Sequence, residues 1–93
     1  MIGKRITDQE WELNSGEYSK HQVDYQDGKK GIMWVCRTPN GHYGTIVNHS
    51  VIEHKDDTIT VSPSILLQTS KDGGKTWIIL WHGYLIKGEW KEC

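Results

Sequence analysis

Residues 70–77 read Ser70-Lys71-Asp72-Gly73-Gly74-Lys75-Thr76-Trp77, a composition that predicts the tight corner of a β-hairpin. Gly73 and Gly74 can adopt the positive φ angles that tight turns require. The carboxylate of Asp72 can accept hydrogen bonds from backbone amides across the loop. Residues 65–69 and 76–82 would then form the two arms of the hairpin. The octet therefore predicts antiparallel strands on both of its sides.

Strand-forming runs alternate with turn signals along the rest of the chain, at a spacing of about ten residues. Asn40-Gly41 favours a type I′ hairpin. Pro63 has no backbone N–H to donate, which predicts a sheet edge or a bend at Ser62-Pro63-Ser64. The other turn signals are Asp27-Gly28-Lys29-Lys30-Gly31, Lys55-Asp56-Asp57 and Lys87-Gly88. This pattern predicts a single all-β domain over residues 1–93, built as a mainly antiparallel small sheet, sandwich or barrel.

One segment, Ile6 to Leu13, carries a helical signal instead. Thr7 would be the N-cap, and Glu10, three residues later, would complete a capping box. The sequence therefore allows one short N-terminal helix in an otherwise all-β chain.

The charge balance restricts the classes of partner. A formal net charge of −1 provides no basic field for a nucleic-acid backbone or an anionic membrane, so we expect neither as a partner. No apolar run reaches the roughly 18 residues of a membrane span. The polar segment Met1 to Glu10 lacks the apolar stretch of a secretion signal, which predicts a cytoplasmic protein. A homodimer is compatible with the sheet edges of a small β protein.

The aromatic content is concentrated in indole rings, with no phenylalanine and these five tryptophans: Trp11, Trp34, Trp77, Trp81 and Trp90. Each indole can bury a large area in a core, and tryptophan is also enriched at binding hot spots. We expect two or three of the rings in the core and at least one on a functional face. The candidate binding residues are Trp34, Trp81, Tyr84 and His42.

Cys36 and His42 flank a turn and are the only weak candidates for a metal half-site. A zinc site needs about four ligands, and the second cysteine of such a half-site is missing because Pro39 and Asn40 stand in its place. We therefore expect no metal and no other cofactor. Cys36 and Cys93 are expected to be free thiols in a reducing compartment.

Ser62-Pro63-Ser64 and His82 form the third candidate constellation. A serine nucleophile needs an adjacent base and oxyanion donors, and a bend at Pro63 could present a hydroxyl. Ser64 is the candidate nucleophile, His82 the candidate base, and Ser62 the alternative hydroxyl. Ser-Pro-Ser is also a common turn, which requires no chemistry.

The octet at residues 70–77 resembles the Asp-box of sialidase-type propellers and of many other β proteins. This likeness implies a stabilised turn and does not extend to sialidase activity. A chain of 93 residues is too short for a propeller, and Arg5 and Arg37 are its only arginines, so no arginine triad is available.

Three further segments carry a second likeness: Trp34-x-Cys36 followed by Gly41-His42, then Thr60-Val61-Ser62-Pro63-Ser64-Ile65, then residues 81–88. With them, residues 32–88 resemble a small bacterial and phage family that includes the E component of bacterial ubiquitin-like (Bub) operons. Phage members of that family are often labelled ammonia monooxygenase. This chain lacks the second cysteine of the family's first cluster, and Trp81 stands where the family has a cysteine before His82.

Two functions follow from these residues and from the resemblance. The first is a small cytosolic β-rich binding module for a protein or small ligand, which the resemblance extends to a phage-encoded protein acting on a host defence-system protein in the host cytoplasm. The short chain, the surplus of tryptophan and the loss of both family cysteines favour it. The alternative is a small serine hydrolase or peptidase that acts on ubiquitin-like conjugates through Ser64 and His82.

Overall fold

The computed structural model describes residues 1–93 as eight β-strands with no helix, which confirms the all-β prediction. None of the elements is a helix long and apolar enough to cross a membrane. The strands are β1 (Lys4–Arg5), β2 (Glu17–Asp24), β3 (Lys30–Arg37), β4 (Tyr43–Ile46), β5 (Ser50–Glu53), β6 (Ile59–Thr69), β7 (Ile78–Ile86) and β8 (Glu89–Glu92).

The strands form two four-stranded sheets, ordered β1-β2-β3-β4 and β5-β6-β7-β8. All neighbouring strands are antiparallel except β1 and β2, which are parallel. The N-terminal segment links the sheets along one side, because Ile2 bridges to Glu89 of β8 and Lys4 pairs with Glu17 of β2. No ladder joins β4 to β5, so this side of the molecule stays open.

The core lies between the two sheets and contains inward-facing residues of both. Three of the five indole rings are buried there, at Trp34, Trp81 and Trp90, as the composition predicted. Trp81 and Trp90 meet edge to face with ring centroids 5.3 Å apart, an arrangement that aromatic pairs prefer. Trp11 and Trp77 remain more than half exposed.

The prediction of a short helix over residues 6–13 is wrong. The backbone N–H groups of Ile6 and Gln9 donate to the carbonyls of Tyr18 and Lys20 on β2, at 3.0 and 2.9 Å. These hydrogen bonds hold the segment against β2, and Gln9 has a φ of 69°, outside the helical region. The segment runs along the edge of β2 instead.

The prediction of a type I′ turn at Asn40-Gly41 is also wrong. Only Gly41 has a positive φ, 91°, and its N–H donates to the Thr38 carbonyl at 2.8 Å. This is the pattern of a three-residue hairpin loop with a left-handed residue in its last position. The type I′ backbone occurs instead at Lys87-Gly88, where both residues have positive φ angles, 47° and 76°.

The octet forms the turn that its glycines predicted, with φ angles of 73° at Gly73 and 98° at Gly74. The Asp72 carboxylate accepts the backbone N–H of Thr76 at 2.8 Å and the hydroxyl of Ser70 at 2.9 Å. These hydrogen bonds, the one from Thr76 above all, lower the pKa of Asp72. The returning strand β7 begins at Ile78, two residues later than predicted.

Pro63 lies within β6 directly after Ser62, where the pairing with β5 ends, so this side of the strand is a sheet edge at Pro63, as the sequence predicted. Val61 pairs with Leu85 and Ile65 pairs with Gly83, so three residues of β6 face the single residue Tyr84 of β7. This β-bulge leaves Pro63 without a partner residue on β7, so the sheet loses no hydrogen bond through the missing N–H of the proline. It also shifts the two flanking serines, Ser62 and Ser64, relative to β7.

Candidate functional site

The outward surface of the second sheet carries both the Ser64–His82 pair and several exposed apolar side chains. On β7, Trp81, Gly83 and Leu85 face the core, so the intervening side chains point away from it. The same alternation applies to β5 and β6. We call this surface the outer face, and it is formed by Ile52, Ser62, Ser64, Leu66, His82, Tyr84 and Ile86.

Ser64 and His82 meet on the outer face, although they are 18 residues apart in sequence. The Oγ atom of Ser64 lies 3.1 Å from Nε2 of His82, a hydrogen-bonding distance, and both side chains are partly buried. His49 holds the backbone at the same position, because its Nε2 donates to the Ser64 carbonyl at 3.0 Å. The bulge at Pro63 thus presents one of the two serine hydroxyls to an imidazole.

The pair lacks the further groups of a serine hydrolase. No side chain or carbonyl forms a hydrogen bond with Nδ1 of His82, so nothing orients the imidazole as a third triad member would. Pro63 has no N–H to contribute to an oxyanion hole. Ser62 is exposed, and its hydroxyl has no hydrogen-bond partner. Ser64 and His82 are therefore positioned as a dyad without the third group that would orient the imidazole.

Large apolar side chains lie on the same outer face as this polar pair. Tyr84 and Leu66 are both 44% exposed, Ile86 is 41% exposed and Ile52 is 57% exposed. The register makes three of them neighbours: Leu66 lies opposite His82 on the adjacent strand, and Tyr84 and Ile86 follow His82 on the same face of β7. Ile52 lies opposite Thr60, on the far side of β6. On β8, Glu89 pairs with Ile86 and Lys91 pairs with Tyr84, which gives the apolar area a charged rim.

Among the predicted binding residues, only Tyr84 lies on the outer face. Trp34 and Trp81 are 4% and 3% exposed, and their rings belong to the core. His42 lies in the turn between β3 and β4, where its backbone N–H donates to the Thr38 hydroxyl at 3.0 Å. The structure therefore brings Tyr84 together with Ser64 and His82, and leaves Trp34, Trp81 and His42 elsewhere.

Cys36, the weak metal candidate, is fully buried on β3. Burial raises the pKa of its thiol to about 12, so the thiol is protonated at neutral pH. No group of three or more histidine, cysteine or acidic side chains could hold a metal ion. Cys36 and Cys93 form no disulfide with each other, and Cys93 is exposed.

Sequence reasoning missed Ile52, Leu66 and Ile86 as surface residues. A signal for them exists in runs such as Tyr84-Leu85-Ile86, where apolar residues occupy both faces of one strand. A strand of this kind must be covered on both faces or must leave one apolar face in solvent. With two sheets and no helix, the second outcome applies here.

Comparison of the chain with protein-family models, with curated proteins and with solved structures found no match. The resemblance of residues 32–88 to the Bub operon family therefore stays a prediction.

Proposed function

We propose that this chain is a small β-rich binding module that takes a protein partner on its outer face. The observation that carries the proposal is the group of three exposed apolar side chains, Leu66, Tyr84 and Ile86, on the outer face of the adjacent strands β6 and β7. Contiguous exposed apolar surface with a polar rim is typical of protein–protein contact sites. The finer prediction, a phage-encoded protein that acts on a host defence protein, rests on the family resemblance.

The Ser64–His82 pair is partly satisfied for burial in an interface, and the free Nδ1 of His82 would need an acceptor from the partner. The Ser64 hydroxyl and His82 Nε2 bond to each other, so a partner can cover them without leaving these two atoms unpaired. Tyr84 offers a rigid, amphipathic side chain, the type that most often acts as a binding hot spot. Glu89 and Lys91 at the rim would contribute mainly to orientation, because exposed charges add little affinity.

Site-specific photo-crosslinking tests this proposal. A photoreactive benzoylphenylalanine is introduced at position 84, and at position 77 as a matched control. The native side chains at these positions are exposed aromatic rings, 44% exposed for Tyr84 and 55% for Trp77. We expect position 84 to crosslink one defined protein and position 77 to crosslink none. Tyr84→Ala is expected to weaken that complex about 30-fold, a hot-spot loss of about 2 kcal/mol.

The same experiment can contradict the proposal in two ways. Equal crosslinking from both positions would mean non-specific contact of exposed aromatic residues. A partner whose affinity is unchanged by Tyr84→Ala and by Leu66→Lys would bind on another surface.

A second candidate function, a serine hydrolase or peptidase, is favoured by the Ser64–His82 contact of 3.1 Å. In that reaction Nε2 of His82 takes the hydroxyl proton as Ser64 Oγ attacks a carbonyl carbon. The imidazolium then protonates the leaving amine, and water hydrolyses the resulting acyl-enzyme. The family resemblance would make the substrate a ubiquitin-like conjugate.

Labelling of the purified protein with a fluorophosphonate probe separates the two functions. A binding module predicts no labelling, because the imidazole has no orienting partner to activate the serine. A hydrolase predicts labelling that Ser64→Ala abolishes and His82→Ala lowers by orders of magnitude. Ser62→Ala is the matched control, since its hydroxyl is the equivalent group on the other side of Pro63 and should not matter.

A further inference from the structure

A groove with a volume of about 600 Å³ lies at the open side of the molecule, away from the outer face. It is bounded by β2 and β3 of the first sheet, by the connection from β4 to β5, and by β5 itself. A groove of this size is within the usual range of ligand-binding sites. Its main apolar lining residues are Val23, Ile32, Trp34, Ile46, Val47 and Val51.

The backbone of β5 adds unpaired hydrogen-bonding groups to this groove. β5 is an edge strand that pairs only with β6. The N–H of His54 donates to the Thr58 carbonyl at 2.8 Å, so this pair is a hydrogen-bonded one. Because such pairs alternate in antiparallel sheets, the N–H and C=O groups of Val51 and Glu53 point away from β6. Both residues also line the groove.

Of the two acidic side chains that line the groove, one has ion-pair partners and the other has none. Glu53 is bound by Lys20 at 3.0 Å and by Arg5 at 3.1 Å, and its hydrogen bond with Lys20 is the main reason that its pKa is lowered. Asp24, on the β2 side, forms no ion pair, not even with Lys30 opposite it on β3. The charged lining residues, Lys20, Asp24 and Glu53, sum to a formal charge of −1. A cationic group beside Asp24 would complement this charge.

We propose that the groove binds an extended peptide segment, which adds a strand to the free edge of β5. The free N–H and C=O groups of Val51 and Glu53 recur at every second residue, which is the spacing of hydrogen-bonding groups along another β-strand. A small molecule does not repeat donors and acceptors at this spacing. Every second side chain of the peptide enters the apolar groove, and a lysine or arginine of the peptide lies beside Asp24. β5 has four residues, so the paired stretch spans about 13 Å.

A library of random heptapeptides displayed on phage tests the inference, panned in parallel against the wild-type protein and against Val51→Pro. Proline at position 51 removes an N–H that points away from β6, so the ladder with β6 keeps its hydrogen bonds. We expect the wild-type protein to enrich peptides with alternating apolar residues and at least one basic residue. We expect Val51→Pro to enrich no such pattern.

The best peptide is then synthesised with and without N-methyl groups on every second residue, so that the backbone donors of one edge are removed while the protein is unchanged. We expect N-methylation to weaken binding at least tenfold, and the unmodified peptide at saturation to slow amide hydrogen exchange at Val51 and Glu53 at least tenfold. Tyr84→Asp should leave this affinity unchanged, because the outer face is a separate surface. The peptide result is thus independent of the proposed function.

Three results would overturn the inference. The wild-type protein could enrich no patterned peptide, or the N-methylated peptide could bind as well as its parent. Alternatively, sedimentation could show a dimer that Val51→Pro dissociates, in which case a second copy of this chain occupies the edge of β5.

Discussion

Replacing Trp90 by alanine is expected to destabilise the fold by about 3–5 kcal/mol, most of the stability of a small domain. The side chain is 3% exposed and packs edge to face against Trp81. Its Nε1–H donates to the Gly16 carbonyl at 2.9 Å in a buried position. Alanine therefore leaves a cavity and removes one of the two hydrogen bonds that the Gly16 carbonyl accepts, the other being donated by the Lys4 backbone N–H at 3.1 Å. Because residues 1–3 pair with β8, we also expect the N-terminal segment to detach.

Denaturant unfolding of Trp90→Ala and Trp77→Ala measures this difference with a matched control. Trp77 has the same side chain but is 55% exposed, and its indole nitrogen has no hydrogen-bond partner. We expect Trp77→Ala to change the free energy of unfolding by about 0.5 kcal/mol or less, as exposed sites usually do. Similar losses in the two variants would mean that Trp90 is not part of a packed core.

Gly83→Ala is expected to cost about 1–3 kcal/mol or more, a large effect for a single methyl group. A Cβ atom at position 83 would lie 2.4 Å from the Lys91 carbonyl oxygen and 2.4 Å from the Trp81 ring. Neither group can move easily, because Lys91 lies in the β7–β8 ladder and Trp81 is buried in the core. Since Gly83 follows His82 on β7, the shift of the strand should also lengthen the Ser64–His82 contact.

Gly31→Ala is the matched control for this substitution. A Cβ at position 31 would come equally close, 2.3 Å, to a ring carbon of Tyr25. Tyr25 is 55% exposed, so its ring can swing into solvent at little cost. In thermal unfolding, 1 kcal/mol corresponds to about 4–8 °C for a domain of this size. We expect Gly83→Ala to lower the midpoint temperature of unfolding by at least that amount. Equal midpoints for the two variants would contradict the steric explanation.

The two proposed binding surfaces place different demands on the fold. The outer face depends on side chains of one sheet and on the bulge that aligns Ser64 with His82. The groove depends on the missing ladder between β4 and β5 and on the backbone of an edge strand. A variant can therefore damage one surface and spare the other, which is why Tyr84 and Val51 serve as separate probes.

Local sequence was sufficient for features that depend on neighbouring residues. The octet at residues 70–77 contains the glycines, the carboxylate and the hydroxyl that its turn uses, all within hydrogen-bonding reach of one another. Strand composition likewise predicted an all-β chain. The capping box at Thr7 was a local signal of the same kind, but it failed because hydrogen bonds from Ile6 and Gln9 to β2 hold the segment in a non-helical conformation.

Long-range pairing decided what local signals could not. Pro63 was expected at an edge or a bend, and it lies at both, but only the long-range pairing decided that β5 ends opposite Ser62 and that β7 faces the bulge. The same pairing brings Ser64 to His82, and no sequence pattern encodes that 3.1 Å contact. Burial behaved similarly, since Trp34 and Tyr84 were equivalent as candidate binding residues until the two sheets enclosed one and exposed the other.

The sequence by itself thus determined the all-β class, the hairpin at the octet and the number of indoles available to a core. Each of these follows from backbone preferences and side-chain volume, which act over a few residues. The tertiary structure alone decided which face of the second sheet stays apolar in solvent and which edge stays unpaired. These features depend on how the two four-stranded sheets pack together. The free energy of that packing is distributed over contacts between residues that are distant in the chain.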